Sequence, residues 1–257
     1  MGTFSLYLDV PDFAPSGRNN PLIPSSRLGR GMTNERHDFG LVAFDMDGVL
    51  VDYESSWTWV HDHFGVKSEE SIKAFVKGEI DDKEFMRRDI ALWLGKRPSL
   101  CLSDISTILE PLPIVEGIQR TVDELRWHGI KTVIVSGGLD VVASKIARRF
   151  GFDDWVANGF ACDTTGKLTG EGVLRVELQN KRQAVEKFSS VYGVDKEHVC
   201  SVGNSFIDVS MFEASKLKIA FNPIDDYVAH QANVVVRSKD LSDILPHILG
   251  EQRGLKG

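Results

Sequence analysis

The sequence predicts an α/β protein built on a doubly wound parallel sheet, with a helical cap insert and a small β-hairpin flap. From Leu41 onward, short apolar strands alternate with helical stretches, which is typical of a parallel sheet covered by helices on both faces. The 257 residues are 42% hydrophobic and 26% charged, as in a globular protein with a substantial core. Two segments interrupt the alternation, and they predict the cap and the flap.

Each predicted strand is an apolar run of three or four residues, as expected of strands buried on both faces. The strands are predicted at 41–44, 132–135, 155–157, 199–202, 218–221 and 234–236. Helices fit the intervals, at 115–128, 138–150, 180–192, 208–215, 225–231 and 240–249. Because helical connections join strands that run in the same direction, the carboxyl ends of these strands should share one edge of the sheet.

The cap is predicted over residues 54–111, which contain no convincing strand. Trp57, Val60, His61 and Phe64 fall on one helix face at i, i+3, i+4 and i+7. This insert would divide an α/β core composed of residues 39–53 and 112–250.

The flap is predicted within residues 160–176, where a "TTGK" turn lies between β-capable runs. At the two ends of the chain, we expect a disordered leader over residues 1–38, which are rich in Pro, Gly, Ser, Asn and Arg, and a short tail over 251–257.

Composition narrows the classes of partner. A net charge of −7 and a pI of about 5.5 argue against nucleic acid, whose phosphates require a basic face. No apolar run approaches the roughly 20 residues of a membrane span, so no membrane partner is expected. Three scattered cysteines favour reduced thiols and a cytoplasmic location. The oligomeric state is left open, a homodimer being one alternative.

Polar side chains follow three of the predicted strands at the edge where ligands bind in open α/β sheets. A lysine also opens the helix before the third of these strands. The candidates are Asp45 and Asp47 after the first strand, Ser136, Gly137 and Gly138 after the second, Asn204 and Asp208 after the third, and Lys181 at the helix start.

These residue types point to phosphoryl transfer. Asp45 and Asp47 repel each other unless a cation or a proton intervenes, and oxygen ligands of this kind suit Mg²⁺. The "SGG" turn supplies a hydroxyl and backbone N–H groups for an anion at a helix start, and Lys181 adds a positive charge. Carboxylate, metal and anion site together favour phosphate chemistry.

The motifs "DMDGV" (45–49), "VSGG" (135–138), Lys181 and "GNSFID" (203–208) resemble, in order, the four motifs of the haloacid dehalogenase superfamily of phosphatases. Longer stretches, such as "TVIVSGGLDVVASKIARRFGFDDWVAN" and "DVSMFEASKLKIAFNP", look like the phosphoserine phosphatase family. The resemblance covers roughly residues 40–245 and implies a cap and a flap.

The resemblance also implies residue roles. Asp45 would be the nucleophile that forms an aspartyl-phosphate, and Asp47 would protonate the leaving alcohol and then activate water. Ser136 and Lys181 would hold the phosphoryl oxygens, with Gly137 and Gly138 beside them. Mg²⁺ would be held by the Asp45 carboxylate, the Asp47 carbonyl and the Asn204 side chain, with Asp208 acting directly or through water.

The chain departs from the family pattern at two places. Asn204 stands where the family usually has aspartate, which predicts weaker metal binding. In the cap, Glu54 matches the glutamate that binds the substrate ammonium. An ungapped alignment puts Asp89 at the arginine that binds the substrate carboxylate, and a slip of one residue would make Arg88 that arginine.

The expected function is a Mg²⁺-dependent phosphomonoesterase acting on a small phosphorylated metabolite, with O-phospho-L-serine first. Three alternatives stay open at this point: the same chemistry on phosphoglycolate or another ester, phosphotransfer to an alcohol, and a catalytically weak protein that binds a phosphorylated ligand. Asn204 favours the last, and the intact pair Asp45 and Asp47 speaks against it.

Overall fold

A seven-stranded sheet forms the centre of the molecule in a computed structural model that describes residues 38–250. The strands are β1 (Leu41–Phe44), β2 (Lys131–Leu139), β3 (Asp154–Cys162), β4 (Leu168–Val173), β5 (Val199–Gly203), β6 (Leu217–Phe221) and β7 (Val234–Val236), in the spatial order β4-β3-β2-β1-β5-β6-β7. Every neighbouring pair is parallel except β3 with β4. The predicted fold class is confirmed. The predicted leader and tail lie outside the described residues, apart from Asp38.

Ten α-helices accompany the sheet within residues 38–250. They are α1 (Ser56–Phe64), α2 (Glu69–Val76), α3 (Asp82–Lys96), α4 (Leu102–Ile108), α5 (Ile118–Trp127), α6 (Asp140–Phe150), α7 (Arg182–Tyr192), α8 (Val209–Phe212), α9 (Asp226–Gln231) and α10 (Leu245–Leu249). Short 3-10 helices occur at Lys196–His198, Phe206–Asp208 and Leu241–Ile244. No helix in this part of the chain combines the length and the hydrophobicity that a membrane span needs.

Strand β1 is central because all four of its side chains are apolar and fully buried. Leu41 pairs with Lys131 of β2 on one side and with Val199 of β5 on the other. The Asp45 N–H still donates to the Val202 carbonyl, at 2.9 Å. The chain therefore leaves the sheet directly after Asp45, at the edge where β2 and β5 also end.

Strand β3 is longer than the three residues predicted. It pairs in parallel with β2 as far as Asn158 and then in antiparallel fashion with β4. The flap is thus a continuation of a sheet strand and not a separate hairpin that begins at residue 160. No Pro interrupts residues 154–162 and the middle of the strand is buried without a break, so no local breaker marks the junction.

The segment between β1 and β2 carries α1 to α4 and contacts the flap. Helix α3 packs on β4, where a Cβ on Gly172 would come within 2.4 Å of the Met86 Cε. The two connections of this helical segment run side by side, because Val51 and Ile114 form an isolated β-bridge. Residues 54–111 contain no named strand, as predicted for the cap.

Candidate active site

A cavity of about 310 Å³ lies at the carboxyl ends of β1, β2 and β5 and beneath helices of the cap segment. It brings together eight of the ten residues that the sequence singled out: Asp45, Asp47, Glu54, Ser136, Gly137, Gly138, Lys181 and Asn204. Asp208 lies behind Lys181 and does not line the cavity, and Arg88 does not line it either.

Lys181 lies between two carboxylates. Its Nζ donates to Asp45 Oδ1 and to Asp208 Oδ1, both at 2.7 Å, and all three side chains are buried. Burial disfavours the ammonium, but attraction to Asp208 and Asp45 outweighs it and keeps the pKa of Lys181 above its ordinary value. The lysine, which precedes the first residue of α7, is therefore a permanent positive charge beside Asp45.

Burial changes the protonation of Asp45. Desolvation, followed by repulsion from Asp208, raises the pKa of the Asp45 carboxyl to about 7, although Lys181 acts in the opposite direction. A carboxylate with this pKa gains from any cation that enters the cavity. The arrangement therefore suits a group that is ionised when a metal ion is bound.

Asp47 is held by the start of α1. Its Oδ2 accepts hydrogen bonds from the N–H and the hydroxyl of Ser56, both at 2.9 Å, while its buried Oδ1 has no partner among the described residues. Desolvation raises the pKa of Asp47 to about 6, against the two Ser56 hydrogen bonds. Gly138 makes room for this contact, since a Cβ there would lie 2.5 Å from Asp47 Oδ2.

The "SGG" segment differs from the predicted turn at a helix start. It is the end of β2, and α6 begins at Asp140, two residues later than expected. The Gly138 N–H donates to Ser136 Oγ and the Leu139 N–H to Ser56 Oγ, both at 3.0 Å. The Gly138 N–H is thus engaged within the protein, and the predicted anion site rests on the Ser136 hydroxyl and the Gly137 N–H, which stay predictions.

Gly137 is fixed by side chains from two other elements. Its carbonyl accepts hydrogen bonds from Trp57 Nε1 of α1 and from Asn158 Nδ2 of β3, both at 3.2 Å. Asn158 also donates to the Val176 carbonyl, at 2.9 Å. The Gly137 end of the cavity is therefore hydrogen-bonded to the cap segment through Trp57 and, through Asn158, to the strand that continues into the flap.

Asp208 organises the loop after β5. Its Oδ2 accepts from the N–H groups of Asn204 and Ser205, at 2.9 and 3.0 Å, and its Oδ1 accepts from Lys181. Both oxygens are thus engaged within the protein. Asp208 fits a group that positions Lys181 and Asn204, and it fits less well as a direct ligand of a metal.

The remaining oxygen atoms suit a hard cation. Asp45, Asp47 and Asn204 line the same cavity, and carboxylate, carbonyl and amide oxygens are the ligands that Mg²⁺ prefers. Within residues 38–250, no cluster of three or more His, Cys, Asp or Glu side chains has the arrangement of a metal site. A metal here would therefore depend on the Asn204 amide and on backbone or water oxygens in addition to the Asp45 carboxylate.

Comparison with known proteins supports the resemblance seen in the motifs. A family model for haloacid dehalogenase-like hydrolases matches residues 39–216, which is more than half of the chain and includes all four motifs. The chain belongs to the haloacid dehalogenase-like hydrolase family. The family match covers the cavity described above, so its carboxylates, lysine and serine lie in the matched region.

Individual relatives of this hydrolase are similar over most of its length. It is 32% identical to the phosphoserine phosphatase of Wolinella succinogenes over 213 residues, covering 81% of this chain and 99% of the relative. It is 30% identical to the phosphoserine phosphatase of Methanocaldococcus jannaschii, covering 81% and 97%. A solved structure of a phospho-aspartyl intermediate analogue of phosphoserine phosphatase superposes with a TM-score of 0.70 at 27% identity, covering 82% and 99%. This hydrolase is a phosphoric monoester hydrolase.

In this haloacid dehalogenase-like hydrolase, Arg88 does not reach the cavity. Arg87 and Arg88 both form ion pairs with Glu84 on the outer face of α3, and their side chains are 55% and 44% exposed. One residue further along the helix, the side chain points inward, because consecutive helical positions are about 100° apart. The residue that lines the cavity is therefore Asp89, and the assignment of Arg88 as a substrate-binding residue is corrected.

Asp89 belongs to a buried polar chain that sequence reasoning missed. Trp93 Nε1 donates to His61 Nδ1, at 2.8 Å. His61 Nε2 lies 3.2 Å from Asp89 Oδ2, but it has no hydrogen-bond partner among the described residues. Burial raises the pKa of Asp89, and His61 opposes the rise. Asp89 Oδ1 is buried and has no hydrogen-bond partner among the described residues.

Sequence reasoning also missed Ser56 and Trp57. Ser55 is a recognisable N-cap, since its side chain accepts from the N–H groups of Trp57 and Thr58, and that signal marks where α1 begins. It does not reveal that the next serine points to Asp47, because this contact depends on how α1 lies against β2.

Proposed function

We propose that this hydrolase is a Mg²⁺-dependent phosphomonoesterase that acts through an aspartyl-phosphate on a small phosphorylated metabolite. The observation that carries the proposal is the buried group formed by Lys181 with Asp45 and Asp208, beside Asp47, in one cavity. A binding protein would gain little from a nucleophile with an acid beside it. The family match and the relatives support the same chemistry.

In the first step, an Asp45 carboxylate oxygen forms a bond to phosphorus while the bond from phosphorus to the alcohol oxygen breaks. Asp47 donates its proton to the departing oxygen, and its pKa of about 6 leaves part of the population protonated near neutral pH. Ser136 and Lys181 bind the phosphoryl oxygens, and the free alcohol leaves.

In the second step, Asp47, now ionised, takes a proton from water as the water oxygen attacks the phosphorus of the aspartyl-phosphate. The bond between phosphorus and Asp45 breaks, and inorganic phosphate is released. Asp47 ends the cycle protonated, as it began. The fixed Ser56 hydrogen bonds keep its Oδ2 in place, which leaves the unpartnered Oδ1 for proton transfer.

Mg²⁺ would be held by Asp45, the Asp47 carbonyl and Asn204, with Asp208 holding Asn204 and Lys181 in position. A bound Mg²⁺ neutralises negative charge on the carboxylates and on the phosphoryl group. We also propose that the enzyme requires Mg²⁺ and that it is located in the cytoplasm.

The two relatives are phosphoserine phosphatases, which favours O-phospho-L-serine as the substrate. A second candidate is an ester without a carboxylate, and the observation that favours it is Asp89 on the cavity wall where Arg88 had been expected. The two candidates share the chemistry above and differ in what the cap binds.

The test of the chemistry is hydrolysis of p-nitrophenyl phosphate with and without Mg²⁺. Asp45→Asn should lower kcat/KM by more than about a thousandfold, because the amide cannot act as the nucleophile. Asp52→Asn is the matched control, since Asp52 is exposed and does not line the cavity. Activity that survives Asp45→Asn would exclude Asp45 as the nucleophile, and inactivity of the unmodified enzyme with every divalent metal would favour a binding protein.

A further inference from the structure

The cap side of the cavity is acidic. Glu54, Asp82 and Asp89 all contribute to its lining. Lys181 is the one lysine or arginine within residues 38–250 that lines the cavity, and two carboxylates already hold it. His61 also lines the cavity, and its Nε2 lies 3.2 Å from Asp89 Oδ2. A substrate carboxylate on this side would therefore meet charges of its own sign whose basic neighbours are already paired with protein carboxylates.

Asp89 has the features of a binding group and not of a surface charge. The residue is 3% exposed, and one of its oxygens lies 3.2 Å from Nε2 of His61, whose Nδ1 accepts a hydrogen bond from Trp93. Its Oδ1 remains without a hydrogen-bond partner among the described residues. A buried carboxylate is costly, so a cation bound in the cavity next to Asp89 would stabilise it.

The walls next to these carboxylates are aromatic and apolar. Trp57, Phe75, Phe85 and Met86 line the cavity, and the Phe75 and Phe85 rings stack with centroids 5.0 Å apart. Aromatic faces attract ammonium groups and bind the carbon atoms next to them. Carboxylates combined with aromatic faces recognise a cation and disfavour an anion.

We propose that the substrate is the phosphate monoester of an amino alcohol, a molecule with an ammonium group and no carboxylate, which Asp89 and Glu54 bind on the cap side. This inference rests on the phosphomonoesterase function proposed above. The reaction consumes water, breaks the bond from phosphorus to the alcohol oxygen, and releases phosphate and the amino alcohol.

Two commercial esters make a matched test, since O-phosphoethanolamine and O-phospho-L-serine differ only by the carboxylate. With the unmodified enzyme, kcat/KM for O-phosphoethanolamine should exceed that for O-phospho-L-serine by at least about tenfold. The reason is that O-phosphoethanolamine brings no carboxylate that would be buried without a partner. Equal values, or a preference for O-phospho-L-serine, would overturn the inference. So would equal turnover of glycerol 3-phosphate, because a hydroxyl would then suffice.

Variants test Asp89 itself. Asp89→Asn should lower kcat/KM for O-phosphoethanolamine relative to p-nitrophenyl phosphate by about tenfold, mainly through KM, and Asp89→Arg should shift the preference toward O-phospho-L-serine. Glu70→Gln is the matched control, an exposed cap carboxylate that does not line the cavity. A ratio that Asp89→Asn leaves unchanged, or that Glu70→Gln changes equally, would contradict the assignment.

Failure of this inference differs from failure of the proposed function. Turnover of p-nitrophenyl phosphate that requires Asp45, together with no preference between the two esters, rejects the substrate class alone. If no ester is hydrolysed, calorimetric titration of both esters into the unmodified protein still measures the preference of the cavity. Tighter binding of O-phospho-L-serine in that titration would reject the substrate class as well.

Discussion

Ser56 controls Asp47 through two hydrogen bonds and also accepts one from the Leu139 N–H. The same hydroxyl therefore joins the start of α1 to the end of β2. Since hydrogen bonds to the ionised form lower the pKa of a carboxyl, Ser56 limits how far burial raises the pKa of Asp47.

Ser56→Ala should raise the pKa of Asp47 further above about 6 and so move the alkaline limb of the kcat profile to higher pH, because the proton donor stays protonated longer. The lost bonds should also lower the free energy of unfolding by about 1–2 kcal/mol. The measurement is kcat against pH. Ser55→Ala is the control: it removes the N-cap at a cost of about 1 kcal/mol without a hydrogen bond to Asp47, and an equal shift in that variant would refute the role of Ser56.

Asn204 brings a neutral amide to the place where the family usually has a carboxylate. Gly48, at φ 78°, leaves the room that the Asn204 side chain occupies, since a Cβ there would lie 1.9 Å from Asn204 Nδ2. Asn204→Asp should tighten Mg²⁺ binding by about tenfold or more, because one more negative charge faces the cation. Calorimetric titration with Mg²⁺ measures this, and an unchanged Kd would show that Asn204 is not a ligand.

Among the elements, α3 and β4 form the contact that places Met86 and Asp89 on the cavity. Gly172 of β4 sits against Met86, and no side chain fits between them. Gly95, near the end of α3, has open space around its Cα and lacks a positive φ. The same substitution can therefore be compared at Gly172, which is closely packed, and at Gly95, which has open space around it.

Gly172→Ala should lower the free energy of unfolding by about 1–3 kcal/mol through overpacking and raise KM by displacing α3. Gly95→Ala should instead raise the free energy of unfolding by about 0.5–1 kcal/mol, since alanine favours helix. Chemical denaturation and steady-state kinetics of the two variants measure these changes. Similar effects of both substitutions would show that α3 does not depend on a close approach to β4.

Local patterns were sufficient to locate the strands of the parallel sheet along the chain and to find most residues of the candidate site. The apolar runs gave β1 and β7 with their observed bounds, and the strand-end rule found Asp45, Asp47, Ser136 and Asn204. The continuation of β3 into the flap and the division of 208–215 into a 3-10 turn and the short α8 were missed. The position of helix α1 against β2 depends on contacts between residues that are far apart in the sequence, and so does the presence of Asp89 instead of Arg88 on the cavity wall. A periodic pattern contains no information about such contacts.

Across the molecule, the carboxyls of the site link stability to pH. Because the pKa of Asp47 rises from 3.8 to about 6 on folding, the native state binds more protons between these values, and its contribution to the free energy of unfolding falls as pH increases from 4 to 6. The rise corresponds to a loss of roughly 3 kcal/mol at most. Asp45, with a pKa of about 7, acts in the same direction up to higher pH.

The metal-free Asp47→Asn variant should therefore gain stability relative to the unmodified enzyme as pH increases from 4 to 6, while Asp52→Asn should not. Added Mg²⁺ should stabilise the unmodified enzyme more at pH 8 than at pH 5, because its ligands must lose their protons. Denaturant unfolding at several pH values checks both statements. A constant difference between Asp47→Asn and the unmodified enzyme would show that the acid is not buried.

Strand β3 crosses from the sheet into the flap without a break, and Asn158 lies at the crossing. Beyond this residue the strand reaches β4 and, through β4, the helix that carries Asp89. The Asn158 side-chain amide donates a hydrogen bond to the Gly137 carbonyl. One continuous stretch of backbone thus joins the Gly137 end of the cavity to the flap that contacts the helix with Asp89. Under the proposed mechanism, a poorly fitting alcohol group would therefore act on the same strand that supports the phosphate-binding residues.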